Sequence, residues 1–123
     1  VRDTVTGGAQ LLAVQTNNAT FNYAEATQQL AMVRLRAIEH ARPALMASTV
    51  GVSAVVDADG TTHDATTMNT QAVIVRTVRL TSATTPATRL GAAPEWATTF
   101  AALVLLAGTA VRRRSAPTIT ETP

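Results

Sequence analysis

The chain has 123 residues, enough for one domain, with ten arginines and eight acidic residues but no lysine and no cysteine. The missing cysteine excludes disulfides, cysteine-ligated zinc and a cysteine nucleophile within this chain. Its net charge is only +2, and three arginines stand together at residues 112–114. The remainder is therefore close to neutral, and its charge gives no argument for binding nucleic acid.

Residues 11–16 begin the part of the chain that organises the fold. This run is short and apolar and predicts a buried strand. The polar residues 17–22 predict a loop at the carboxyl end of that strand, which is the end where open α/β sheets bind their ligands. We therefore expect the loop to face a binding site.

The clearest predicted element is a helix that begins at Asn22 and ends near Arg42. Asn22 and Glu25 have the spacing of a capping box, in which each side chain accepts a hydrogen bond from a backbone N–H group at the helix start. Pro43 ends the helix, because the residue before a proline is disfavoured in α geometry. One helical face carries the apolar positions Leu30, Val33, Ala37, Ile38 and Ala41.

Two β-prone runs follow the helix, at residues 44–49 and 52–57, and a third alternating run at residues 72–80 predicts another strand. Residues 81–93 are rich in threonine, alanine and proline and predict a linker. The chain up to residue 80 is therefore predicted to form a single α/β unit.

A run without charge begins at Trp96 and predicts a transmembrane helix over residues 94–111. Its sixteen uncharged residues span only about 24 Å, but Trp96 and the arginines that follow the run suit the two membrane interfaces. The alternative is a buried or amphipathic helix. The positive-inside tendency would place residues 112–123, a basic tail predicted to be disordered, in the cytoplasm and residues 1–90 outside it.

The residues alone indicate little catalytic chemistry. His40 and His63 lack metal-ligand spacing, and we interpret His40 as a surface or packing residue. Arg36, Glu39 and Arg42 are interpreted as structural ion pairs that hold the helix to the sheet. The sequence predicts no serine–histidine–aspartate set, no phosphate-binding glycine loop, no metal site and no cofactor.

Four segments carry a resemblance to a known family. Residues 17–22 read Asn-Asn-Ala-Thr-Phe-Asn, residues 34–43 read Arg-Leu-Arg-Ala-Ile-Glu-His-Ala-Arg-Pro, residues 48–55 read Ser-Thr-Val-Gly-Val-Ser-Ala-Val, and residues 85–91 read Thr-Pro-Ala-Thr-Arg-Leu-Gly. In this order they resemble the C-terminal part of the bacterial apolipoprotein N-acyltransferases, which belong to the nitrilase (carbon–nitrogen hydrolase) superfamily. The second segment fits the family pattern Arg-x-Arg-Ala-x-Glu-x-x-Arg-Pro closely.

The chain departs from the family pattern at four positions. Asn18 stands where the family has aspartate, Thr20 where it has tryptophan, Gln29 where it has histidine and Ala87 where it has tyrosine. The resemblance also implies a loop that lines the substrate pocket, made of Asn17, Asn18, Thr20 and Phe21.

The resemblance implies an α/β fold over residues 1–80, part of a nitrilase-like α-β-β-α sandwich, followed by one C-terminal transmembrane helix. The family uses a Glu–Lys–Cys triad to move an acyl chain from a phospholipid, through a cysteine thioester, to the N-terminal amine of an apolipoprotein. This chain has neither lysine nor cysteine. We therefore expect a fragment of a multi-pass enzyme of the cell membrane that holds no catalytic residue and is inactive alone.

Two other functions stay open at this point. One is a membrane-tethered nitrilase-like amidase that uses water as the acceptor, and the other is a non-catalytic membrane anchor or interaction module. The sequence before residue 1 distinguishes them. A cysteine shortly upstream with several apolar spans favours the acyltransferase, a triad without spans favours the amidase, and the absence of cysteine favours the anchor.

Overall fold

The computed structural model describes the backbone of residues 1–114 and the side chains of residues 1–109. These residues divide into two compact units, the first from Val1 to Arg89 and the second beginning at Leu90. The elements in chain order are α1 (Arg2–Thr6), β1 (Leu12–Thr16), α2 (Tyr23–His40), β2 (Ala44–Ser48), β3 (Ala54–Val56), β4 (Thr62–His63), α3 (Pro86–Leu90) and α4 (Ala93–Arg114).

The described strands form one mixed sheet in the order β1-β2-β3-β4. β1 and β2 are parallel, with Leu12 opposite Ala44 and Thr16 opposite Ser48, and α2 connects them along the chain. β3 is antiparallel to both β2 and β4. The predicted α/β fold is therefore confirmed. Because β1 and β2 run in the same direction, the loops that follow them lie at the same edge of the sheet.

The helix α2 begins and ends as the sequence predicts. The Asn22 side chain accepts the Glu25 N–H at 3.0 Å, and the Glu25 carboxylate accepts the Asn22 N–H at 2.8 Å, which confirms the capping box. Ala41 then adopts a left-handed conformation, with φ 49° and ψ 48°, and the buried Pro43 follows. Of the predicted apolar face of α2, Val33 and Ala37 are buried in the core and Leu30 packs against it, whereas Ile38 is 50% exposed. The core comprises Val5, Leu12, Val33, Ala37, Ala44, Met46 and Val56.

The prediction of a strand at residues 72–80 is wrong, because this segment has no regular secondary structure. Val73 and Val75 are 91% and 92% exposed, whereas Ile74 between them lines a cavity of about 420 Å³ against β2 and β3. Alternating side chains are only half of what a strand needs, since its backbone must also pair with a neighbour. Within the described residues, the sheet ends at β4 and does not include this segment.

The second unit contains α4, the helix predicted to cross a membrane. Large apolar side chains along it are each more than half exposed, namely Trp96, Phe100, Leu103, Val104, Leu105 and Leu106. The Thr98 and Thr99 hydroxyls donate to carbonyls one turn earlier in the helix. Among the described residues, we find no helix with both the length and the apolar character that a membrane crossing requires, so the transmembrane helix is not confirmed. The prediction of a disordered tail is wrong at residues 112–114, which belong to α4, and residues 115–123 lie outside the described residues.

Candidate functional site

The loops that follow β1 and β2 are hydrogen-bonded to each other. The Thr49 N–H donates to the Thr16 carbonyl at 3.2 Å, and the Thr49 hydroxyl donates to the Asn17 side-chain oxygen at 3.1 Å. The same Asn17 oxygen accepts the Ala19 N–H at 3.2 Å, in the manner of an Asx turn. The loop of residues 17–22, in which the sequence predicted a substrate pocket, is thus held against the neighbouring loop.

Asn18 is the buried residue of this loop, with only 1% of its surface exposed. Its Oδ1 atom accepts hydrogen bonds from the Thr16 and Ser48 hydroxyls, the first at 2.5 Å, and its Nδ2 atom donates to Gln29 Oε1 at 2.6 Å. A buried amide is tolerated only when its polar atoms have partners, and here the ends of β1 and β2 and the helix α2 supply them. We refer to Thr16, Asn18, Gln29 and Ser48 as the amide cluster.

Gly51 closes the amide cluster from the loop between β2 and β3. Its N–H donates to Ser48 Oγ at 2.8 Å. A Cβ atom at this position would lie 2.6 Å from Asn18 Oδ1 and 2.7 Å from Ser48 Oγ, which is closer than real contacts allow. Glycine is therefore required here by the close approach of the backbone to buried polar side chains.

The other members of the predicted pocket loop face outward. Asn17 and Thr20 are exposed, and Phe21 is 38% exposed. The Phe21 N–H donates to the Asn18 carbonyl at 3.0 Å, so the position of the ring depends on that of Asn18. A shallow depression of about 280 Å³ lies beside the ring, lined by Phe21, Glu25, Gln28, Gln29 and Met32. The loop therefore exposes the aromatic ring of Phe21, while its buried residue Asn18 is held by hydrogen bonds.

The structure brings together two positions at which the chain departs from the family pattern. Asn18 and Gln29 lie eleven residues apart and are hydrogen-bonded in the amide cluster. The sequence pattern did not indicate Thr16, Ser48 or Gly51 as partners of this pair. The signal available was the placement of Thr16 and Ser48 at the last positions of two adjacent parallel strands, where their side chains meet.

Arg36 and Glu39 form an ion pair on the surface of α2, three residues apart. Both side chains keep contact with solvent, and pairs of this kind contribute about 0–1 kcal/mol. The pair lies within one helix and stabilises it locally.

Arg42 occupies a different environment, with 3% of its surface exposed. Where an ion pair was predicted, its guanidinium donates instead to backbone carbonyls, to Ala9 at 2.7 Å and Ala83 at 2.6 Å, and also to His40 and Ala41. A helix end leaves carbonyls without partners, and this side chain satisfies two of them. Arg42 thus joins the segment before β1, the end of α2 and the segment before α3.

His40 is buried at the end of α2 and contacts the first turn of α3. Its Nδ1 atom lies 2.8 Å from Thr88 Oγ1, which lies 2.9 Å from Thr85 Oγ1, and the Thr85 hydroxyl donates to the Glu39 carbonyl at 2.5 Å. Because Thr85 gives its one proton to Glu39, Thr88 donates to Thr85, and His40 donates through Nδ1–H to Thr88. The interpretation of His40 as a packing residue is confirmed. The range predicted as a linker, residues 81–93, therefore includes a helix whose start is fixed to α2.

We expect the stability of the first unit to fall as the pH drops below about 6.5, because His40 must be neutral to fit this site. Burial lowers the pKa of His40 below its ordinary value of 6.5, Glu39 opposes the shift, and Arg36 and Arg42 reinforce it. As the pH falls, the unfolded chain therefore binds a proton at His40 before the folded chain does. The contribution of neutral His40 to stability is fully present above pH 6.5 and is lost as the pH falls from 6.5 to the folded-state pKa. Thermal midpoints measured between about pH 7.5 and 5 test this.

His40→Asn is the matched control for that measurement, since asparagine keeps a hydrogen-bonding group but does not titrate. We expect its midpoints to decline less over the same pH range. Parallel declines in the two proteins would show that His40 is not the group responsible.

Comparison with known proteins identifies relatives over most of the chain, although no family model matches it. The chain is 39% identical to the apolipoprotein N-acyltransferase of Mycolicibacterium smegmatis over 134 residues, which cover 96% of this chain and 22% of the relative. It is 44% identical to the apolipoprotein N-acyltransferase of Gloeobacter violaceus over a region that covers 64% of this chain and 15% of the relative. It is 39% identical to the apolipoprotein N-acyltransferase of Ralstonia nicotianae over a region that covers 87% of this chain and 20% of the relative. The chain spans about a fifth of the length of these curated relatives.

Proposed function

We propose that this chain, a segment of the apolipoprotein N-acyltransferase family, takes part in moving an acyl chain from a phospholipid to the N-terminal amine of an apolipoprotein. The observation that carries the proposal is the 39% identity to the Mycolicibacterium enzyme across 96% of this chain. Because the chain spans about a fifth of such relatives, the reaction belongs to the complete polypeptide that contains it.

Within that enzyme, this segment would form a wall of the substrate pocket and supply none of the reacting groups. The chain has no cysteine and no lysine, so a Glu–Lys–Cys triad would draw at least these two residues from elsewhere in the polypeptide. The exposed Asn17, Thr20 and Phe21 would contact the substrate, with the Phe21 ring beside the acyl chain. The 123 residues alone would be inactive.

The surface of the first unit supports a place inside a larger nitrilase-like sandwich. Val73 and Val75 are almost fully exposed on an extended segment, and the nearby cavity of about 420 Å³ lies between that segment and the sheet. Exposed aliphatic side chains next to an unfilled cavity are typical of a surface that packs on another layer. We propose that the second half of the α-β-β-α sandwich, from the remainder of the polypeptide, covers them.

The apolar surface of α4 supports association with the membrane. Its large apolar side chains are each more than half exposed, and such a helix is disfavoured in water. We propose that α4 lies in contact with lipid. Single cysteines in place of Val104 and of the exposed Ser82, in a polypeptide otherwise cleared of cysteine, test this with a water-soluble thiol reagent. Protection at position 104 alone is expected, and equal labelling would contradict it.

A transfer assay tests the proposed reaction. The complete polypeptide is incubated with phospholipid and a diacylated lipopeptide that has a free N-terminal amine, and the mass of the lipopeptide is measured. We expect a gain of one acyl chain as an amide. Hydrolysis of an amide substrate without acylation of the lipopeptide would identify an amidase, and the absence of both reactions would identify an anchor or interaction module.

A further inference from the structure

We propose that Gln29 is a positioning residue for the pocket loop, which it holds in place through the buried side chain of Asn18. This inference rests on the acyltransferase function proposed above, because it assigns Gln29 an effect on that reaction. Gln29 lies on α2, outside the loop, and would not touch the reacting atoms.

The hydrogen bonds of Asn18 show why its contact with Gln29 matters. The Thr16 and Ser48 hydroxyls both donate to Asn18 Oδ1, so they hold one end of the amide. The other end, Nδ2, donates to Gln29 Oε1 at 2.6 Å. Without that acceptor, a buried N–H group would lose its partner, and the side chain would have to move to recover one.

Any movement of Asn18 is passed to the exposed part of the loop. The Phe21 N–H donates to the Asn18 carbonyl at 3.0 Å, which fixes the aromatic residue relative to the buried one. The sequence of contacts therefore runs from Gln29 through the Asn18 side chain and backbone to Phe21. A shift at the start of this path displaces the ring that would line the acyl chain.

The chain also contains a control with the same side chain. Gln10 is exposed before β1, outside the pocket loop and the depression beside it, and Asn18 Nδ2 donates to Gln29 instead. A general effect of replacing a glutamine would appear at both positions. An effect through Asn18 would appear only at Gln29.

The test compares variants of the complete polypeptide in the acyl-transfer assay, with kcat and KM measured per folded molecule and thermal midpoints measured in parallel. Gln29→Leu keeps the approximate size of the side chain but removes the acceptor, and it should lower kcat/KM by roughly ten- to a hundredfold, as displacement of a pocket wall does. Gln29→Glu keeps an acceptor oxygen and should retain activity within about threefold of the unaltered enzyme, and Gln10→Leu should do the same. If Gln29→Leu does not fold, Gln29→Asn, which withdraws the acceptor by one methylene, should still lower kcat/KM.

Several results would overturn the proposal. A lower thermal midpoint for Gln29→Leu with unchanged kcat/KM would show a purely structural role, as would unchanged kcat/KM in Gln29→Asn. A loss that Gln29→Glu shares, or that Gln10→Leu shares, would show that the contact with Asn18 is not responsible. If the unaltered polypeptide transfers no acyl chain, the proposed function fails and the role of Gln29 in it fails too, whereas an active enzyme with a fully active Gln29→Leu variant refutes the positioning role alone.

Discussion

Arg42→Ala in the complete polypeptide is expected to lower the free energy of unfolding by about 2–4 kcal/mol, because hydrogen bonds that involve a charged group contribute about 1.5–3 kcal/mol and several are lost together. The guanidinium is buried and donates to four backbone carbonyls, two of them more than thirty residues away in the chain. Alanine would leave these buried and partly buried carbonyls without that donor. The thermal midpoint of unfolding measures the effect.

Arg36→Ala is the matched control, because it removes an arginine from the exposed face of α2, the helix that ends just before Arg42. Its ion pair with Glu39 stays in contact with solvent, so we expect a loss below about 1 kcal/mol. Arg42→Lys should be almost as damaging as Arg42→Ala, since one ammonium group cannot replace a planar fork that donates in several directions. Equal midpoints for the alanine variants of Arg42 and Arg36 would contradict the structural role assigned to Arg42.

The second large effect is expected at Gly51. Gly51→Ala should lower the free energy of unfolding by about 1–3 kcal/mol, because the added methyl group would overlap Asn18 and Ser48 at 2.6–2.7 Å. Both side chains are held by hydrogen bonds in the amide cluster, so neither withdraws without breaking one. We also expect reduced acyl transfer, since the same movement displaces the pocket loop. Thermal midpoints and the transfer assay measure the two effects.

Gly108→Ala provides the control for that substitution. Among the described residues, no atom outside the backbone of its own helix lies within 4 Å of a Cβ atom at this position, and alanine favours a helix over glycine by about 1 kcal/mol. We therefore expect no loss of stability. The double variant Asn18→Ala/Gly51→Ala should be less damaging than the sum of the single variants, because removing the Asn18 side chain removes its part of the overlap and leaves only that with Ser48. Strict additivity would contradict the proposed contact.

The elements with local signals could be predicted from the sequence. The limits of α2 follow from a capping box at Asn22 and Glu25 and from Pro43, all of which act within a few residues of the helix ends. β1 and β2 were predicted within a residue of their limits, because each is a short apolar run next to one of these helix ends and has few alternative structures. Residues 72–80 have the alternating pattern of a strand. A strand also needs a neighbouring strand to pair with, and the pattern does not specify one.

The candidate site was less predictable, because its geometry depends on residues distant in the chain. The resemblance pointed to the loop that contains Asn18, but the burial of Asn18 results from hydroxyls at the ends of two strands and an amide on α2. Arg42 belongs to the best-matched family segment, yet its carbonyl partners at Ala9 and Ala83 have no sequence signature. Contacts to backbone atoms carry no residue preference, so a pattern of residue types does not reveal them.

The central claim is that this segment shapes the site of an acyltransferase whose reacting residues lie elsewhere in the polypeptide. Incubating the complete polypeptide with phospholipid alone, and then locating the acylated residue by peptide mass spectrometry, tests it most directly. We predict an acyl chain on a cysteine outside these 123 residues and no acylation within them. An acyl chain attached to any residue of this segment, or no acylated peptide at all, would contradict the claim.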